Sequence, residues 1–281
     1  MKKILFCLTV VGFFLTSCSK NVDEITSSSL NSRRVEMREM LRQMNEENPC
    51  SAVGIGHNKM VSHLLHESIH TTRSNDSVYL IKSDIKQAVI NHVDSLLTAD
   101  MISNYTIQEF GQGYDTVMAR IFDNPPSSHL LSTYISESFD DLSRQRVATL
   151  ETIVSTSNSA SKMLKDLRIL QNEALTLPSH QQDEVLTLIS VAANSCVYWD
   201  EALEELPLAY QPQSIGTVVS ADIDAAGLTS CGNFFLNLFK KAISWKYVVA
   251  MSAGASTWAA VKTINWTGVW NSVDSWLNNL W

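Results

Sequence analysis

Glycine and proline are scarce in this chain. Its 281 residues include 10 Gly and 6 Pro, a composition that excludes collagen-like and low-complexity proteins. Charged side chains make up 18% of the chain and apolar side chains 45%, which excludes a disordered polymer. The composition predicts a folded globular protein, long enough for one large domain or two small ones.

Several catalytic motifs are also missing. The sequence has no G-x-S-x-G and no glycine-rich loop of the kind that cradles phosphate, so it gives no support to a serine hydrolase or a nucleotide-binding enzyme. Cys50 and Cys196 have no adjacent cation to activate a thiolate, which argues against a cysteine hydrolase. Acidic residues outnumber basic ones and the net charge is −8, so nucleic acid is not an expected partner.

The amino terminus carries the strongest pattern in the sequence. Lys2 and Lys3 precede an apolar run over residues 4–15, which ends in Leu15-Thr16-Ser17-Cys18. This order is typical of a signal peptide, and the tetrapeptide resembles the lipobox of bacterial lipoproteins. The resemblance implies cleavage before Cys18 and attachment of a diacylglycerol to its sulfur, so that lipid anchors the protein to a membrane. The alternatives are an ordinary secretory signal and a membrane helix, for which the run is short.

The residues after Cys18 bear on location. By resemblance to the lipoprotein family, Ser19 in place of an Asp after Cys18 implies that the protein can leave the inner membrane. Asp23 and Glu24 resemble the acidic surface-export signal of Bacteroidota lipoproteins. Loss of residues 1–17 would remove two lysines and no acid, which takes the net charge from −8 to −10. We therefore expect a lipid-anchored protein of the outer membrane or cell surface, with a periplasm-facing position as an alternative.

Three cysteines remain free to pair after such processing, Cys50, Cys196 and Cys231. An oxidising envelope permits one disulfide among them and one leftover thiol. The sequence does not choose among the three pairings, and three buried thiols are an equal alternative.

Hydrophobic spacing indicates helices throughout, with no alternating strand pattern. The sequence predicts an all-α protein, an irregular helical bundle with an apolar, Trp-rich C-terminal region. The predicted helices cover residues 33–47, 57–70, 78–97, about 127–155, 162–175 and 182–206. The predicted organisation is a signal peptide at 1–17, a lipidated flexible tether at 18–30, an acidic helical body at 31–206, a connector at 207–220 and a helical module at 221–281.

The C-terminal module differs from the body in composition. Six of the seven Trp lie within residues 221–281. Fifteen uncharged residues separate Lys246 from Lys262, too few for a full membrane span. Three interpretations follow: a core helical hairpin, a membrane-active toxin-like tail, or a docking surface for a protein partner.

The string His66-Glu67-Ser68-Ile69-His70 matches H-E-x-x-H, the zincin motif. On a helix the two histidines lie one turn apart and can share a zinc ion, while Glu67 can deprotonate a metal-bound water. No metzincin continuation follows, and the conceivable third ligands are Glu109, Asp84 and His92. The alternative is the polar, histidine-rich face of an amphipathic helix, with or without incidental metal binding.

A second resemblance covers the start of the same stretch. Residues 53–60 are similar to a Gly-x-x-His-Asn opening in a group of uncharacterised exported Bacteroidota lipoproteins, through Gly54, His57 and Asn58. The resemblance implies that His57 and Asn58 begin a helix, where Asn58 can cap backbone N–H groups, and that the H-E-x-x-H string is accidental.

The sequence-based expectation is therefore a non-enzymatic accessory, interaction or membrane-associated lipoprotein without a cofactor, in which Cys18 carries lipid. The alternatives are a zinc-dependent peptidase that uses His66, Glu67 and His70, and a membrane-active C-terminal module.

Overall fold

The computed structural model describes residues 30–71, 82–98, 106–123, 131, 140–204, 215–230 and 245–263. All regular elements in these ranges are helices and no residue within them forms a strand, which confirms the predicted all-α class. The chain divides into two packing units between Met40 and Leu41. The first unit includes residues 30–40 of the first helix. The second unit contains the rest of that helix and the helices that follow it.

The helices are named in chain order. They are α1 (30–47), α2 (Ser51–Thr71), α3 (Lys82–Thr98), α4 (Ile107–Met118), α5 (Asp141–Thr156), α6 (Ala160–Ala174), α7 (Ser179–Glu204), α8 (Ile215–Ser230) and α9 (Trp245–Thr263), and a π-helical segment, Ala119–Asp123, directly follows α4.

Short polar side chains begin three of these helices. Thr106 and Glu109 form a capping box at the start of α4, in which each side chain accepts a hydrogen bond from the other residue's backbone N–H. Asp140 accepts from the backbone N–H of Ser143 at 2.7 Å at the start of α5, and Ser159 caps α6. Each cap satisfies a donor that the first helical turn leaves without a partner.

Four helices form the centre of the bundle. Helices α7 and α9 each pack against both α2 and α8. Every residue from Leu188 to Asp200 of α7 is buried. Helix α6 packs against α7, α5 against α6 and α8, and α3 against α9, α2 and α4. Burial of large side chains such as Leu64, Ile189 and Trp199 provides the main stabilisation of this arrangement.

Most predicted helices within the described ranges are confirmed, but α2 begins earlier than expected. The sequence predicts a break at Gly54 and Gly56, whereas the helix starts at Ser51 and runs through both. Gly54 is needed for close packing: a Cβ there would lie 2.3 Å from the backbone oxygen of Ser190 in α7. His57 and Asn58 therefore lie inside α2, and the prediction that they begin the helix is wrong.

The helix predicted from about residue 127 is described over Asp141–Thr156, while most of its first part, residues 127–130 and 132–139, lies outside the described residues. Helix α8 begins at Ile215, inside the predicted connector at 207–220. The helix tolerates Gly216 because Val218 and Val219 are buried, and the packing of these side chains outweighs the low helix propensity of glycine.

Helices α8 and α9, which carry most of the described part of the C-terminal region, pack against α2 and α7 in the same unit. In α9 the consecutive residues Tyr247, Val248, Val249 and Ala250 are all buried, and because successive side chains lie about 100° apart, the helix is buried on every face, as expected for a central core helix. Helices α8 and α9 therefore belong to the core of the bundle within the described residues. Within the described residues, no helix is both long and apolar enough to cross a membrane.

Candidate functional site

A buried polar cluster joins α2, α7 and α8 at the centre of the bundle. Its members are His57, Ser195 and Asp222, none of which is exposed to solvent. The Oγ of Ser195 donates to Oδ2 of Asp222, and the Nε2 of His57 lies 3.6 Å from the same oxygen. Among the described residues, His57 Nε2 and Asp222 Oδ1 have no hydrogen-bond partner.

The neighbour Asn58 sets the tautomer of His57. The Nδ2 of Asn58 donates to the backbone oxygen of Asn194 at 2.9 Å, so its Oδ1 is the atom that faces His57 Nδ1 at 3.0 Å. Because an amide oxygen only accepts, Nδ1 carries a proton. The other ring nitrogen, Nε2, therefore faces Asp222 at a distance of 3.6 Å, without a hydrogen bond.

This order of groups differs from that of a hydrolase triad. In a triad the histidine accepts the proton of the serine and the carboxylate orients the histidine. Here the carboxylate of Asp222 stands between the other two, so the hydroxyl of Ser195 donates to the carboxylate and does not contact the imidazole of His57. The arrangement can link three helices through polar contacts, but it doesn't activate Ser195 as a nucleophile.

Two further acids lie near the cluster. Burial raises the pKa of Asp224 well above its usual range, and the nearby carboxylates of Glu151 and Asp222 raise it further, while a hydrogen bond with Ser220 opposes them. Glu151 is buried and accepts from the backbone N–H of Leu131 at 2.7 Å. Asp224, in the middle of α8, therefore lies in an environment that disfavours its charge.

A second polar network lies where α2 approaches α7. The amides of Asn45 and Asn194 pair reciprocally, with donor-acceptor distances of 3.3 and 3.0 Å. The Nδ2 of Asn194 also donates to Ser190 O at 2.9 Å, and the backbone N–H of Gly54 donates to Ser190 Oγ at 3.2 Å. Gly54, His57 and Asn58 of the Gly-x-x-His-Asn string thus all contact residues of α7 or α8, which gives the string a packing role.

A third network joins the end of α1 to α6 and α7. Asn48 Nδ2 donates to Gln171 Oε1 and to Leu186 O, both at 3.1 Å. Gln171 Nε2 donates to the backbone oxygen of Met44 at 3.0 Å. Both side chains are buried, so each hydrogen bond replaces one to water.

The zincin-like string is only partly described. The backbone of α2 is helical through Thr71, but the side chains of His66, Glu67 and His70 lie outside the described residues. Of the conceivable third ligands, Glu109 is engaged in the capping box of α4. His92 lies on α3 with its ring centroid 5.9 Å from that of His63 on α2. Within the described ranges, no group of three or more metal-ligating side chains occurs.

The two described cysteines are free thiols. Burial raises the pKa of Cys196, with a further contribution from Asp200, and its Sγ lies 3.5 Å from the backbone oxygen of Ala160. Burial also raises the pKa of the partly exposed Cys50. Neither is an activated nucleophile. Cys18 and Cys231 lie outside the described residues.

Sequence reasoning missed the polar groups of the core, namely Asn48, Gln171, Asn194, Ser195 and Asp222. Their signal was a polar residue inside an apolar run: Asn194 and Ser195 interrupt the segment Val191–Trp199, and Asp222 interrupts Val218–Leu228.

No protein-family model matches this chain, and no curated protein or solved structure matches it either. The functional proposal therefore depends on the residues and their geometry.

Proposed function

We propose that this protein is an envelope lipoprotein, held at the outer membrane or cell surface by lipid on Cys18, whose helical body has a non-catalytic interaction role. The observation that carries the proposal is the order of its first residues, in which Lys2 and Lys3, an apolar run and Leu15-Thr16-Ser17-Cys18 follow one another. Two or three acyl chains at one terminus anchor a protein stably.

The burial of the reactive groups supports a non-catalytic body. His57, Ser195 and Asp222 are the described residues closest to a catalytic set, and all three are inaccessible to solvent. A substrate could reach them only if α2, α7 and α8 separated, because α7 packs directly on both α2 and α8. Their contacts are explained by helix pairing alone.

The membrane is one proposed partner, through the lipid, and a protein that binds the C-terminal region is another. Trp245, at the start of α9, is 47% exposed, and the ammonium group of Lys246 lies 5.9 Å from its ring centre. An exposed Trp beside a cation is a common anchor in protein interfaces.

Labelling with radioactive palmitate tests the anchoring. The wild-type protein should incorporate label and sediment with the membrane fraction, whereas Cys18→Ala should do neither. Cys7→Ala is the matched control, because it removes a cysteine of the same signal sequence and should leave labelling unchanged. Equal labelling of wild type and Cys18→Ala would refute the proposal.

A zinc-dependent peptidase is the second candidate, favoured by the continuation of α2 through His66 and His70. This helix keeps the two histidines one turn apart, as the motif requires. A peptidase predicts zinc-dependent hydrolysis of a protein substrate such as casein that is lost in Glu67→Gln with zinc still bound. Hydrolysis that is unchanged in Glu67→Gln, or absent with zinc supplied, contradicts this candidate.

A further inference from the structure

Two histidines from neighbouring helices face each other outside the polar cluster described above. His63 lies on α2 and His92 on α3, their ring centroids are 5.9 Å apart, and the ring planes are inclined by 51°. Both residues are partly exposed. Within the described part of the chain, neither imidazole makes a hydrogen bond with another side chain, so both have ring nitrogens available to a ligand.

The separation of the rings fits shared coordination of one metal ion. Two imidazoles bound to a tetrahedral zinc ion through bonds of about 2.1 Å have ring centres roughly 5 Å apart. A small rotation of either side chain brings 5.9 Å to that separation. The inclined planes leave the rings unstacked, which permits a ring nitrogen from each to turn toward a common point.

The protonation of the pair also favours a metal. Burial lowers the pKa of His92, and the charge of a protonated His63 lowers it further. The unprotonated imidazole is the form that binds zinc.

We propose that His63 and His92 form a two-histidine site for a divalent first-row transition-metal ion, with zinc as the representative and water in its remaining positions. Imidazole is a preferred ligand of zinc, copper and nickel. The site would connect α2 to α3 and is separate from the pair His66 and His70 of the H-E-x-x-H string.

Zinc titration of the purified full chain, followed by calorimetry, tests this site. Wild type should bind zinc near neutral pH, and His63→Ala and His92→Ala should each weaken binding at least about tenfold, because each removes one of two protein ligands. His180→Ala, on helix α7, is the matched control and should bind as wild type does. The circular dichroism spectrum of each variant checks that it is folded.

Two additional readouts separate metal binding from a general effect on the fold. Zinc should raise the melting temperature of wild type but not of His63→Ala or His92→Ala. Zinc affinity should fall between about pH 7.5 and pH 5.5, because protons compete for the imidazoles. Absence of zinc binding by wild type overturns the proposal, and so does binding that persists in both His63→Ala and His92→Ala. The His66→Ala variant then tests the zincin-like string separately.

Discussion

The Nε2 atom of His57 lies 3.6 Å from the Oδ2 atom of Asp222, and neither side chain is exposed to solvent. Asn58 binds the Nδ1 of His57 and so directs this nitrogen away from the contact. The two residues join α2 to α8 in the core, and each depends on the other to offset the cost of its burial.

A double-mutant cycle measures this dependence. Asp222→Asn should lower the free energy of unfolding by about 3 kcal/mol, because it removes one partner of a buried polar pair. The double variant with His57→Gln should cost less than the sum of the two single changes by at least about 1 kcal/mol. Urea unfolding of the four proteins provides the values. Strict additivity would show that the two side chains do not interact.

Replacement of Gly54 tests the close approach of α2 to α7. Gly54→Ala should destabilise the protein by about 1–3 kcal/mol, because its Cβ would lie 2.3 Å from a backbone oxygen of Ser190 that cannot move freely. Gly111→Ala is the control, since its Cβ would lie 3.6 Å from Ile90 Cδ1 and alanine favours the helix. In chemical denaturation, the free energy of unfolding should be lower than that of wild type for Gly54→Ala and higher for Gly111→Ala. An unchanged stability in Gly54→Ala contradicts this packing.

The hydrogen-bonded amides of Asn45 and Asn194 should contribute more to the free energy of unfolding than an exposed amide does. Asn194→Ala should cost about 1–3 kcal/mol, because it leaves the amide of Asn45 without its partner and removes the side-chain hydrogen bond to the carbonyl of Ser190. Asn91, which accepts a hydrogen bond from Gln87 on the exposed face of α3, is the control, and Asn91→Ala should change stability by less than about 0.5 kcal/mol. Similar losses in both variants would mean that the buried network contributes little.

Asp224 predicts a pH-dependent stability. Its pKa is raised in the folded protein by burial and by Glu151 and Asp222, so the folded state binds this proton more tightly than the unfolded state does. From the unfolded pKa of about 3.9 upward to the folded pKa, this group therefore lowers stability as the pH rises. Asp224→Asn should remove that loss.

Melting temperatures at about pH 4 and pH 7.5 test the sign. Asp224→Asn should be more stable than wild type at the higher pH, and the advantage should shrink at the lower pH. Asp183→Asn, at an exposed position of α7, should show no such trend. An advantage of equal size at both pH values contradicts the raised pKa.

The sequence predicts α2 over most of its length because the burial of its side chains follows the period of a helix. The spacing of Met60, Val61, Leu64 and Leu65 predicts one apolar face of this helix, and all four are buried. The start of α2 is predicted less well, because a glycine in the sequence indicates a break in the helix. At Gly54 the missing side chain instead allows two helices to approach, and no local pattern distinguishes these two uses.

The polar core was not predictable for a related reason. Hydrophobic spacing identifies the face on which Ser195 or Asp222 lies, but it does not identify the partner, which is 27 residues away in the chain for this pair. His57 is separated from Asp222 by a still longer stretch. Only the packing of α2, α7 and α8 brings the three together.

Mass spectrometry of the amino-terminal peptide of the mature protein tests the central proposal most directly. We expect this peptide to begin at Cys18 and to carry a diacylglycerol on the sulfur, with or without an acyl group on the new amine. A mature peptide that begins at another residue, or at Cys18 with an unmodified thiol, would contradict it.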